Sequence, residues 1–170
     1  VVGGACKFGF ELAGHNVLVH DIALETTIDD VLPSEVVYIC VPTPRDDDGS
    51  CDISIVRQVI FDLKDRGYEG VIAIKSTVVP GTTEILRVQT GMNIIFVPEF
   101  LRERCAITDF TENHDVCIIG CSDDETFEIV KDCHGPFPEK FVRLSHAEAE
   151  FCKYFNNVYN AMLIIFANSF

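Results

Sequence analysis

The sequence predicts an α/β fold of the Rossmann-like, doubly wound type, with a mainly parallel sheet followed by the start of a long connecting helix. Three observations predict it. Short β-branched runs alternate with stretches of helical period, as parallel strands joined by crossover helices require. Several runs, such as Val36-Val37-Tyr38-Ile39-Cys40-Val41, are apolar at nearly every position, which suits strands covered on both faces. From His146 one helical pattern continues without a cap or a Gly stop, about 25 residues or ~37 Å at 1.5 Å per residue, longer than a crossover needs.

Taken in order, Gly3–Ala13 reads as a helix opening on a glycine pair and closing at Gly14, and Asn16–Asp21 as the strand after it. Further strands are predicted over Glu35–Val41, Val71–Thr77, Asn93–Pro98, Asp115–Cys121 and Lys140–Leu144. Helical periods over Ile53–Asp65, Thr82–Gln89 and Asp123–Asp132 connect them, and Phe100–Phe110 reads as a further helical stretch. The predicted organisation is one domain over 1–145 lacking its first strand, then, over 146–170, the beginning of a central helix leading to a second domain. Both ends read as cuts in a longer chain.

With 170 residues, 48% of them hydrophobic, the chain can bury one sizeable core. A net charge of −14 and a pI near 4.6 argue against nucleic acid and anionic membrane surfaces as partners, because the long-range field repels both. The eight cysteines occur singly, without C-x-x-C pairs, and Cys117 and Cys121 with nearby His114 and His134 do not make a recognised ligand set; no metal site is predicted. No leader pattern and no membrane-length apolar run is present, so a soluble, reduced, cytoplasmic setting is expected.

Gly3 suits the third glycine of a G-x-G-x-x-G phosphate loop, where a side chain would keep helix and strand apart. Asp21, about 20 residues beyond the loop's expected start, suits a partner for ribose hydroxyls and disfavours a 2′-phosphate, which selects NAD over NADP. Three strands then end in loops rich in hydroxyls and carboxylates: Pro42-Thr43-Pro44, Ser76 to Thr83, and Glu99 to Glu103. Open α/β sheets bind ligands at that edge, and the prolines hold Thr43 and Thr77 at the rim. On the last helix Lys153 and Asn157 stand one turn apart, an ammonium and an amide facing the same way; a duller pairing of Lys153 with Glu150 competes with that reading. So does a solvated helix face for Glu99 and Glu103.

These residues resemble the UDP-glucose/GDP-mannose dehydrogenase family, through Val41–Pro44 with Asp48–Ser50, Lys75–Thr83, Pro98–Glu103 with Ala106, Asp109 and Phe110, and Glu150 to Asn157. The Phe100-Leu101-Arg102-Glu103 form resembles the UDP-glucose and GDP-mannose branches more than those oxidising N-acetylated sugars. The resemblance implies an NAD-dependent, two-step oxidation of a sugar-nucleotide C6 alcohol to the uronic acid, with a cysteine thioester between the steps. It implies Thr77, Glu99, Lys153 and Asn157 as catalytic residues, Gly3, Asp21, Val41, Pro42, Thr43, Thr77 and Glu103 on the cofactor side, and Glu99, Phe100, Leu101, Arg102, Lys153 and Asn157 around a UDP-sugar. A homodimer or higher oligomer is expected for the intact enzyme, and the chain by itself is expected to be inactive, the family's nucleophile lying beyond the long helix. The connection from Asp21 to Glu35 departs from the family by being short and lacking a Lys after the Asp. Two other readings stay open on the residues alone. A β-hydroxyacid dehydrogenase shares the helical Lys and Asn but lacks the Pro-Glu-Phe-Leu-Arg-Glu segment, and a non-catalytic nucleotide-sensing Rossmann module has little use for Lys153 and Asn157 in a cleft.

Overall fold

A computed structural model describes residues 1–170. Helix α1 (Val2–Leu12) leads, followed by β1 (Val36–Ile39), α2 (Ser54–Asp65), β2 (Val71–Ile74), α3 (Thr82–Thr90) and β3 (Ile94–Phe96). Then come α4 (Ala106–Thr111), β4 (Val116–Gly120), α5 (Asp124–His134), β5 (Lys140–Leu144) and α6 (His146–Asn168). The five strands form one sheet in the order β1-β2-β3-β4-β5. Pairs β1–β2, β2–β3 and β4–β5 are parallel and β3–β4 is antiparallel. The carboxyl ends of β1, β2 and β3 therefore share an edge with the amino end of β4.

Both faces of the sheet are covered, which is why β2 and β3 bury every residue. On one face α2 places Val56, Ile60 and Leu63, one helical stripe, against Ile72, Ile74, Ile94 and Phe96, with Leu86 of α3 and Ala149 of α6 in the same cluster. On the other, Val130 of α5 packs on Val71, Ala73, Ile95 and Ile119, while Ala5, Cys6 and Phe10 of α1 pack on Ala106 and Phe110 of α4. Asp123 caps α5 by accepting from the Thr126 N–H at 2.7 Å, and Ser145 with Glu148 forms the capping box that starts α6.

The β3–β4 junction rests on one residue pair, Phe96 opposite Gly120. A Cβ at Gly120 would lie 2.7 Å from the Ala149 Cβ and 3.1 Å from the Phe96 carbonyl, so glycine is what lets α6 lie directly on the sheet. Beyond that contact α6 runs outward: after Lys153 only Tyr154 and Asn156 are partly covered, and the other residues from Phe155 to Phe170 are exposed.

Two expectations need correction. Asn16–Asp21 forms no strand; it keeps a period-2 alternation of exposure but pairs with no neighbour, and the sheet ends at β1. Alternation alone cannot make a strand, because the ladder bonds of a β-structure come from the strand beside it. Phe100–Phe110 is not one helix: residues 100–102 are irregular, Glu103–Cys105 is a 3-10 turn, and α4 begins at Ala106. The side chains of Glu99 and Asp109 take the N–H groups of Leu101 and Arg102, at 2.7 and 2.8 Å, in competition with helical hydrogen bonding.

Candidate active site

The chemistry-bearing side chains gather at the edge where β1, β2 and β3 end. Glu99 leaves β3 three residues past its last paired residue, and its carboxylate is fixed from two sides. Oε2 accepts the Leu101 N–H at 2.7 Å, and Oε1 accepts the Lys153 ammonium at 2.8 Å. Lys153 also donates to the Glu99 carbonyl at 2.6 Å and stands 5.7 Å from the centre of the Phe100 ring. The ion pair is largely covered, with side-chain exposures of 8% for Lys153 and 15% for Glu99. Competing pairing with Glu150 does not occur: that carboxylate turns to the amino end of α3, accepting from the N–H groups of Gly81 and Thr83 and from the Thr83 hydroxyl. Nor is Glu99 on a helix face with Glu103, since residues 97–102 are not helical.

Two adjoining clefts meet at Glu99. The smaller, about 290 Å³, is lined by Val1, Val2, Cys40, Val41, Pro42, Thr43, Lys75, Ser76, Thr77 and Glu99. It thus joins the start of α1 to the loops after β1, β2 and β3. The amino end of α1 lies on this cleft, and a helix start of this kind suits an anion such as a pyrophosphate. These residues fit a dinucleotide. Ser76 holds the loops together by donating to the Val41 carbonyl at 2.7 Å, which places Pro42 and Thr43 across from Thr77. The larger cleft, about 500 Å³, opens on the other side of Glu99 between Phe100, Leu101, Phe110 and the α6 residues Phe151, Cys152 and Phe155.

Of the predicted site residues, Val41, Pro42, Thr43, Thr77 and Glu99 share the smaller cleft, Glu99, Phe100 and Leu101 share the larger, and Lys153 is tied to Glu99. Others stand apart. Asp21 is exposed, lines neither cleft, and uses one oxygen to accept the Ala23 N–H at 2.9 Å. Glu103 and Asn157 are exposed and outside both clefts. Arg102 points to Asp109, accepted by its carboxylate at 2.6 and 3.0 Å, and that guanidinium holds the Asp109 carboxyl well below the usual range. Gly3 meets Cys40 only at ordinary contact, a Cβ standing 3.5 Å from the Cys40 Cβ; the tight contact of α1 is at Gly9, against Phe110 of helix α4 rather than against a strand.

Sequence reasoning did not single out Lys75, which is 3% exposed, lines both clefts, and donates to the Val97 carbonyl at 3.3 Å beside the Tyr38 ring. The signal was a cation ending a fully apolar strand. Two thiols of the sheet are held in the protonated form. Cys40, in the smaller cleft, is pushed up by its contact with Cys6 and by burial, and burial raises Cys117 to about 11. Cys152 lines the larger cleft, on a wall that Lys153 does not share.

The model of the UDP-glucose/GDP-mannose dehydrogenase family, NAD binding domain, matches residues 11–138. A UDP-glucose 6-dehydrogenase of Haloferax volcanii is 32% identical over 165 residues, covering 84% of this chain and 38% of that protein. One of Bacillus subtilis is 31% identical over 169 residues, covering 93% and 36%. Among solved structures, a UDP-glucose dehydrogenase from Pyrobaculum islandicum superimposes with a TM-score of 0.75 at 31% identity, over 86% of this chain and 36% of that one. A GDP-mannose dehydrogenase from Pseudomonas aeruginosa gives 0.69 at 28% identity, over 83% and 36%. The chain spans little more than a third of the length of these relatives. It belongs to the UDP-glucose/GDP-mannose dehydrogenase family and carries that family's NAD-binding domain.

Proposed function

We propose that the protein oxidises the C6 alcohol of a UDP-sugar, UDP-glucose in the first instance, to the uronic acid with two NAD reduced, residues 1–170 supplying the cofactor cleft and one wall of the sugar site. The observation that carries this reading is Glu99, which lines both clefts and is paired with the buried Lys153 ammonium behind it. The residues of the smaller cleft would hold NAD, which would supply the hydride acceptor there. Lys153 has three donors and uses two on Glu99, leaving one for an oxyanion developing on the substrate. Glu99, kept in place by Leu101 N–H and Lys153, retains lone pairs for a water or hydroxyl, and Thr77 stands on the same cleft wall to orient it. Phe100 and Leu101 form the apolar side against which the sugar nucleotide lies. The thioester step requires a cysteine nucleophile, which on this reading residues 1–170 do not supply, so alone they make no uronic acid.

Lys153→Ala in the full-length protein tests this. An oxyanion partner acts on charge present mainly in the transition state, so kcat falls by about 10²–10³-fold while the KM for the sugar nucleotide changes far less. The parent should form two NADH per UDP-glucuronate, and residues 1–170 should form none. An unchanged kcat in the variant, or sustained turnover by residues 1–170, refutes the assignment.

A further inference from the structure

Glu150 is the one fully buried carboxylate of α6, and it touches no cation. Its three partners are all at the amino end of α3: the Gly81 N–H at 2.5 Å on one oxygen, and the Thr83 N–H at 2.8 Å and hydroxyl at 2.6 Å on the other. A helix start is ordinarily capped by the residue standing at it, and α3 has Gly81 there, which offers no side chain. The cap arrives instead from 67 and 69 residues along the chain. Removing a carboxylate from water is costly, and capping alone does not call for it, since a local Ser, Thr or Asp would serve.

What the long-range cap adds is a connection. The segment from Ser76 to Gly81 is tied at its start to the loop after β1, through Ser76 and the Val41 carbonyl, and at its end to α6, through Glu150. Thr77 lies between the two ties. Lys153 lies one turn beyond Glu150, so the turn of α6 that grips the Thr77 loop is the turn that delivers the ammonium to Glu99. Ala149, seated against Gly120, fixes the depth of α6 on the sheet but leaves rotation and sliding to the neighbouring side chains.

We propose that Glu150 is a positioning residue, a clasp between α6 and the start of α3 that holds Lys153 in register with Glu99 and Thr77. The geometry stands independently of turnover; its catalytic meaning rests on the oxidation proposed above.

Amine labelling of Glu150→Gln by reductive methylation, read by peptide mass spectrometry, tests the geometry on residues 1–170 and on the full-length protein. Exposed Lys140 serves as the normaliser and Lys75, buried in the sheet edge, as the monitor of general loosening. A glutamine turns an NH2 toward donors that need an acceptor, so Lys153 should label about tenfold faster or more while Lys75 is unchanged. Thr83→Val, which removes only the hydroxyl, should give a smaller rise in the same direction. In the full-length protein kcat should fall by about 10²-fold, the effect of a small misplacement, with a lesser change in the KM for NAD. Lys153 and Lys75 rising together would make Glu150 a general stabiliser, and an unchanged Lys153 would remove the clasp; either overturns the proposal, as does a freed Lys153 with unaltered kcat. Should the parent oxidise no nucleotide sugar, the proposed function falls while the labelling still decides the clasp.

Discussion

Gly9→Ala should destabilise the protein although it improves the local helix. Alanine is about 0.8–1 kcal/mol better than glycine inside a helix, so propensity alone predicts a gain. At Gly9 a Cβ would overlap the edge of the Phe110 ring, which other rings restrain on several sides. Phe110 is 1% exposed and hemmed in by Phe10 at 5.5 Å, His134 at 5.9 Å, His114 at 5.3 Å and Phe137 at 6.0 Å between ring centres. The methyl must therefore push α1 off α4, and overpacking of this kind costs about 1–3 kcal/mol beyond any gain in propensity. For a chain of this size each kcal/mol moves Tm by about 2–4 °C, giving a fall of roughly 2–12 °C. Gly4→Ala, with nothing within 4 Å of the added Cβ, lacks the clash and should be neutral or stabilising. Far-UV circular dichroism during heating and urea titration measures both, and the cycle with Phe110→Leu tests the cause, since trimming the ring should recover more than about 1 kcal/mol of the Gly9→Ala loss. A Gly9→Ala protein as stable as Gly4→Ala, or a cycle that adds without coupling, refutes the argument that this contact sets the α1–α4 distance.

Two further outcomes follow from single residues. His134 is fully buried, its Nδ1 bonded to the Val130 carbonyl at 2.8 Å and its Nε2 without a partner, and burial holds its pKa well below the usual 6.5. Its stabilising contribution is complete above pH 6.5 and is lost as pH falls, because the unfolded chain takes up a proton that the folded one refuses; between pH 7.5 and 5.5 the loss is about 1.4 kcal/mol. The urea midpoint of His134→Phe should be less pH-dependent by that amount, and an identical pH dependence would show that His134 is protonated in the fold. On the cofactor side, Asp21→Ala in the full-length protein should narrow the preference for NAD over NADP, measured as kcat/KM for each; an unchanged ratio would leave Asp21 with its turn-capping bond alone.

The fold was legible wherever the sequence pattern reports burial. Val71–Ile74 and Ile94–Phe96 are apolar throughout because helices cover both faces, and Val56, Ile60 and Leu63 mark the buried stripe of α2 at helical spacing. Asn16–Asp21 carries the same kind of pattern and forms no strand, because alternation describes a residue's two sides and not whether another strand lies beside it. The antiparallel turn of β4 against β3 was equally out of reach: it hangs on Gly120 opposite Phe96, and a glycine's need for close approach is visible only once its neighbours are in place.

The site divides along the same line. Thr43, Thr77 and Glu99 could be placed together from sequence because each closes a strand, and strands running the same way end at the same edge. Residues whose contacts depend on a partner distant in sequence left two pairings open. Lys153 had Glu150 three residues away and pairs with Glu99, 54 residues back; Glu150 instead reaches α3. Local spacing favours the first pairing, but on α6 the two side chains are committed to different elements, one to the loop after β3 and one to the start of α3. A single helical turn thus grips the loop after β3 and the start of α3 at once, and the ammonium pairs with Glu99 rather than with the carboxylate nearest to it in sequence.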